Sequence, residues 1–210
     1  AAGITRGISL RRQVMFERKI DVNWIPMGNG DVSCLNNETR LVSNILWYEP
    51  QPLMKHLVEE RDRDVLFLKC PAVSDLYKNT YVIKSPFNVK FVCIGTPTGK
   101  SVKIIEKDPE FETCFLNDRS ADENRAFKMM SLAISYMFYS KHSVDMEIYP
   151  ATMSMHMSQT LRNINVICGK FDISKWIRPT DFAFEIIDTS QVMQFRRGDP
   201  LFYVRFNTNK

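Results

Sequence analysis

The strongest constraint on the fold is a series of short apolar runs with turn residues between them. FAFEIID, QVMQF and LFYVRF in the last third of the chain are rich in β-branched and aromatic residues, and Pro179 and Pro200 precede two of these runs. Short strands at close spacing, without regular strand–helix alternation, favour antiparallel sheets over a doubly wound parallel sheet. The pattern predicts a mainly β fold: an antiparallel β-sandwich or a jelly-roll-like barrel with one or two short helices.

One stretch carries a helical pattern. In residues 49–64, Leu53 and Leu57 recur at helical spacing, and Pro52 lies near the start, where a missing N–H does no harm. His56 lies beside charged residues there and is expected at the surface. Residues 64–71, DVLFLKCP, form a continuous apolar run that favours a strand, and the period of two in residues 130–138 predicts another.

Charge is concentrated at the N-terminus. Five basic residues face only Glu17 in residues 1–20, so this segment carries +4, which equals the net charge of the whole 210-residue chain. We predict a basic N-terminal arm over 1–20 and a single β-rich domain over 21–210. A basic arm can contact an acidic neighbour or bind nucleic acid non-specifically, and a mobile solvated terminus remains the alternative. The candidate partner-binding residues are Arg6, Arg11, Arg12, Arg18 and Lys19.

Cysteine spacing and hydropathy exclude other classes. The five cysteines are odd in number, widely spaced and without a C-x-x-C pair. This pattern argues against a disulfide framework or a zinc ribbon and suits a reducing compartment. No stretch reaches the roughly 18 unbroken apolar residues of a membrane helix, and the first residues lack the apolar centre of a secretory segment. We therefore expect no membrane partner.

Few residues could carry catalysis. The sequence has no G-x-S-x-G nucleophile motif. Residues 95–101, GTPTGKS, resemble a phosphate-binding loop but have three residues between the glycines where that loop has four, so they predict a hairpin turn. We predict no catalytic residues, no metal and no cofactor.

An alternative ligand or metal cluster lies between residues 142 and 156. Its members fall among predicted strands and could face the mouth of a barrel. Met153, Met155 and Met157 would suit Cu(I) beside an imidazole, but an extended segment would place His156 on the opposite face. The cluster comprises His142, Asp145, Glu147 and His156.

The segment FRRGDPLFYVRF, residues 195–206, contains an Arg-Gly-Asp triplet. Gly accepts a positive φ and Pro200 fixes the entry to the next strand, so the triplet predicts a hairpin turn that closes a sheet. Alternation then places Phe202, Val204 and Phe206 toward the core, and Leu201, Tyr203 and Arg205 on the other face.

Much of the chain resembles a family of uncharacterised proteins of tailed bacteriophages, including phages of marine bacteria. The resemblance lies in KFDISKWIRPTDFAFEI, in FRRGDPLFYVRF and in the upstream segment LFLKCPAVSDLYKNTYVIKSPFNVKF, and it spans about residues 64–206. It implies a β-rich fold and a phage context, and it brings no assigned activity.

These features together predict a non-enzymatic structural or interaction protein of a bacteriophage. We expect a virion-associated homo-oligomer or a contact with neighbouring virion proteins, located in the virion or in the cytoplasm of the infected bacterial host. The alternative is a phage-encoded auxiliary enzyme or small-ligand-binding protein with its site in a β-barrel mouth.

Overall fold

The computed structural model of the protein describes residues 6–10, 20–27, 48–61, 66–96, 99–109, 116–118 and 128–208. These residues form three antiparallel sheets and short helices, which confirms the prediction of a mainly β, sandwich-like fold. No sheet of the described residues closes into a barrel.

The largest sheet has six strands. Its strands are β1 (Arg6–Leu10), β2 (Ile20–Met27), β7 (Leu116–Asp118), β8 (Lys128–Tyr139), β10 (Ile164–Val166) and β12 (Pro179–Ile186). Their order is β1-β2-β8-β12-β10, and β7 also pairs with β8. The predicted strand over 130–138 is confirmed as part of β8, the central strand.

The second sheet has five strands. They are β3 (Gln51–Pro52), β4 (Thr80–Lys84), β9 (Val144–Pro150), β11 (Gly169–Asp172) and β14 (Pro200–Thr208). Their order is β11-β9-β14-β4-β3. The central strand is β14, which pairs with β9 on one side and with β4 on the other.

The third sheet is a long hairpin with one short added strand. It comprises β5 (Val89–Thr96), β6 (Gly99–Lys107) and β13 (Met193–Phe195), in the order β13-β5-β6. Ile104 and Ile105 are neighbours in β6 and both are exposed. The register passes from Lys90↔Glu106 to Phe91↔Ile104, so Ile105 is the extra residue of a β-bulge beside Ile104.

Three short α-helices occur in the described residues, where one or two were expected. They are α1 (Leu53–Arg61), which was predicted, α2 (Pro71–Leu76) and α3 (Gln159–Arg162). Two 3₁₀ helices cover Leu66–Lys69 and Thr152–Met157. The first corrects the strand expected over 64–71, because a short apolar run is compatible with either structure. None of the described helices is long and apolar enough to cross a membrane.

Aromatic side chains fill the space between the sheets. Phe182 of β12 stacks on Phe202 of β14, with ring centroids 5.4 Å apart and an interplanar angle of 12°. The ring centroid of Phe138 on β8 lies 5.4 Å from that of Phe206 on β14. The six- and five-stranded sheets therefore pack face to face through these rings.

His56 contributes to the interior, although the sequence placed it at the surface. It lies on the buried side of α1 with Leu53 and Leu57, and it is fully buried. Burial, together with the charge of Lys84, lowers the pKa of His56 to about 4, although the charge of Glu59 acts in the opposite direction. The imidazole is therefore neutral at physiological pH.

Candidate functional site

The Arg-Gly-Asp triplet, residues 197–199, makes hydrogen bonds to other parts of the protein. Arg197 Nη2 donates to Asp108 Oδ2 at 2.9 Å, and the Arg197 backbone N–H donates to Asn88 Oδ1 at 3.0 Å. The Gly198 N–H donates to the Ser85 carbonyl at 2.8 Å, and Gly198 has a φ of 88°. These bonds give the triplet an architectural role, in agreement with its prediction as a turn.

The turn does not form a hairpin within one sheet, as the sequence had suggested. β13, before the turn, pairs with β5, whereas β14, after it, pairs with β4 and β9. The turn therefore carries the chain from the third sheet to the five-stranded sheet. Pairing of the flanking strands is long-range, so alternation along residues 192–206 could not reveal it.

Asp108 ties this turn to the base of the β5–β6 hairpin. Its carboxylate accepts hydrogen bonds from the Asn88 backbone and side chain and from Arg197. Burial raises the pKa of Asp108, but the bonds from Asn88 and Arg197 and the guanidinium charge outweigh it, so this pKa lies below its ordinary value of 3.8.

Asp108→Asn is expected to lower the free energy of unfolding by about 1–2 kcal/mol at neutral pH, since it weakens charge-assisted hydrogen bonds. The folded pKa is depressed, so the carboxylate contributes fully above about 3.8 and its contribution is lost as the pH falls through the folded pKa. Urea unfolding at several pH values should show the two proteins converging below about pH 4. Asp75→Asn, at an exposed position on α2, serves as the control. A difference that stays constant across this range would contradict the assignment.

GTPTGKS is part of the β5–β6 hairpin. Thr96 pairs with Gly99, and Gly95 pairs with Lys100. The prediction of a hairpin at this position is confirmed. A phosphate-binding loop would open a helix, whereas Gly99 here begins β6.

Two members of the predicted ligand cluster lie together on the outer face of β9. Lys170 Nζ, on the neighbouring strand β11, lies 2.9 Å from Asp145 Oδ2 and 3.7 Å from Glu147 Oε1. Glu147 also accepts a hydrogen bond from the hydroxyl of Tyr149. The two carboxylates therefore form an ion-pair network with Lys170, a partner distant in sequence.

Of the two predicted histidines, His142 does not join this network. His142 is exposed in the turn before β9. His156 lies in the second 3₁₀ helix, so the extended segment considered for Met153–Met157 is not formed, and the His156 side chain lies outside the described residues. In the part of the chain that the structure describes, no three His, Cys, Asp or Glu side chains are grouped to hold a metal ion.

A cleft opens next to the Glu147 network. It has a volume of about 210 Å³ and lies between the end of α2, the second 3₁₀ helix and the outer face of β14. The Arg205 guanidinium lies over the Tyr149 ring, 4.7 Å from its centroid. Thr80 and Tyr203 also line this cleft. The sequence placed Arg205 on the outer face but gave no sign of the cleft.

The predicted N-terminal arm is described only in part. Arg6 begins β1, and β1 pairs with β2 along its whole length. Arg11, Arg12, Arg18 and Lys19 lie outside the described residues. The partner-binding role of these five side chains stays a prediction.

A second surface feature was missed by the sequence analysis. We call it the Trp176 groove; its volume is about 410 Å³, and it is lined by Phe171, Trp176, Arg178 and neighbouring residues between β11 and β12. Trp176 and Ile177 are 54% and 55% exposed. Arg178 lies over the Trp176 ring, 5.0 Å from its centroid. The sequence signal for this groove was the pair Trp176–Ile177, two large apolar residues directly before Arg178 and Pro179.

Comparisons with known proteins add no relative: no protein-family model matches the chain, and no curated protein sequence matches it.

Proposed function

We propose that the protein is a non-enzymatic structural or interaction protein that assembles with a second copy of itself through the Trp176 groove. The observation that carries this proposal is an exposed indole that bears a stacked guanidinium. Trp and Arg are enriched among the residues that dominate binding energy at protein interfaces. A Trp more than half exposed gains substantially from burial against a partner.

The charges around the groove favour a second copy as the partner. Arg178 and Asp181 line the groove. Asp172 and Lys175, which lie 3.2 Å apart, are the sequence neighbours of its lining residues Phe171 and Trp176. A surface that carries both signs can be complementary to itself across a two-fold axis. The Ile104–Ile105 part of the β5–β6 hairpin is a further apolar surface available to a neighbour.

We further propose that this assembly belongs to a bacteriophage particle. Support comes from the resemblance of residues 64–206 to tailed-phage proteins and from the β-sandwich architecture, which phage particle components often use. Contacts of the basic arm with neighbouring virion proteins or nucleic acid are part of the same proposal. A second function, binding of a small ligand, is favoured by a different observation, the cleft beside Arg205.

Trp176→Ala is expected to weaken self-association by about 2 kcal/mol or more, a roughly thirtyfold rise in the dissociation constant. Light scattering over a dilution series measures this change. Trp176 is exposed, so the variant should keep the thermal stability of the dissociated chain. Val192→Ala, a change at an exposed apolar position away from the groove, should leave association unchanged.

Two results would reject the proposal in its two parts. A wild-type protein that is monomeric at every concentration would remove self-assembly. Mass spectrometry of purified phage particles tests the virion assignment, and abundance in infected cells together with absence from particles would contradict it.

A further inference from the structure

We propose that the cleft beside Arg205 is a binding site for a small carboxylate ligand with an apolar body. This site is separate from the Trp176 groove, and it does not depend on self-assembly. The argument rests on the hydrogen-bonding state of Arg205, on the groups that fix its position, and on the size and walls of the cleft.

Arg205 has a hydrogen-bond donor that the described part of the chain leaves without an acceptor. Its Nε is buried, and among the described residues no group accepts a hydrogen bond from it. A buried donor without an acceptor costs about 1–3 kcal/mol, so an acceptor supplied by a ligand would recover that energy. A carboxylate matches the planar guanidinium best, because two of its N–H groups can bond to the two oxygens.

The acidic groups near Arg205 are engaged elsewhere. Glu147 is directly opposite Arg205 in the β9–β14 register, but it bonds to Tyr149 and lies 3.7 Å from Lys170. Asp145 pairs with the same lysine at 2.9 Å. The network balances the charge of Arg205 at longer range, yet it places no carboxylate oxygen on its Nε.

The same network holds Arg205 in position. The Tyr149 hydroxyl donates to Glu147, which fixes the ring on which the guanidinium lies. Burial raises the pKa of Tyr149, and the hydrogen bond to Glu147 raises it further, so this phenol keeps its proton at neutral pH. A cation held on an aromatic ring loses little side-chain entropy when a ligand binds.

The dimensions of the cleft restrict the ligand. At about 210 Å³ it is smaller than the roughly 300–1,000 Å³ of pockets that enclose drug-sized molecules. Leu76, Tyr77 and Pro150 supply apolar wall, and the side chains of Thr80 and Thr152 add hydroxyl groups. A compact aromatic or branched aliphatic carboxylate fits this combination.

Benzoate and benzamide form a matched pair of probes, because they share shape and differ in charge. We expect the wild-type protein to bind benzoate about tenfold more tightly than benzamide in calorimetric titrations, in line with a charge-assisted hydrogen bond. Arg205→Gln should remove this preference. Arg162→Gln, which alters an exposed arginine of α3 outside both the cleft and the Trp176 groove, should retain it.

The wild-type protein also provides a test that needs no substitution. The Nε–H resonance of Arg205 should shift on addition of benzoate and stay in place with benzamide. Equal affinity for the two probes, no saturable binding up to the solubility limit of benzoate, or a preference that survives in folded Arg205→Gln would each overturn the proposal.

Discussion

Phe202→Asp is expected to abolish folding. Phe202 is fully buried in β14, the central strand of the five-stranded sheet, and its ring stacks on Phe182 of the facing sheet. Loss of a buried Phe side chain costs about 3–5 kcal/mol, and a buried carboxylate without a partner adds several more. This sum reaches the about 5–15 kcal/mol by which domains are stable. Circular dichroism and the soluble yield on expression measure the outcome.

Asp199→Ala is the matched control, three residues before Phe202 in the turn that precedes β14. Asp199 Oδ2 accepts a hydrogen bond from the Arg196 N–H at 2.8 Å, so its loss should cost only about 1 kcal/mol. If the triplet instead bound a receptor, Asp199→Ala would still fold normally but would lose binding to that receptor. A folded Phe202→Asp protein would contradict the assignment of this segment to the core.

The alternation in β14 illustrates what could be predicted from the sequence. Phe202, Val204 and Phe206 were expected to face the core, and each is fully buried. Leu201 and Tyr203, on the opposite face, are buried as well, and the Tyr203 hydroxyl lies 3.0 Å from Ser154 Oγ in the second 3₁₀ helix. A period of two identifies the face that packs on another sheet. Burial of the opposite face by a segment from elsewhere in the chain cannot be predicted from the strand's own sequence.

The candidate site could likewise be predicted only in part from the sequence. Asp145 and Glu147 were singled out because they are close in sequence, and they do share one face of β9. Their partner Lys170 and the neighbouring Arg205 come from β11 and β14. Lys170 pairs with Glu147 across 23 residues of sequence, and Arg205 pairs with Glu147 across 58. Strand register of this kind depends on the whole sheet, so the sequence pointed to the carboxylates and missed the cleft.

Phe182→Ala is expected to lower the free energy of unfolding by about 3–5 kcal/mol, because the cavity it leaves lies where the three sheets meet. The ring centroid of Phe182 is 5.7 Å from that of Phe195 in the third sheet and 5.4 Å from that of Phe202 in the five-stranded sheet, while Phe182 itself belongs to the six-stranded sheet. Urea unfolding at one fixed protein concentration measures the loss, since self-assembly would otherwise add to stability. Ile187→Ala, at an exposed position, should change stability little.

The form of this unfolding transition tests the single domain predicted for residues 21–210. Buried residues from all three sheets belong to one hydrophobic cluster, so circular dichroism and tryptophan fluorescence should report the same midpoint in the wild type and in Phe182→Ala. Two separated midpoints in the variant would mean that Phe182 links units able to fold independently. A single midpoint at lower urea instead requires that removing one ring weakens all three sheets together, as expected when they share a core.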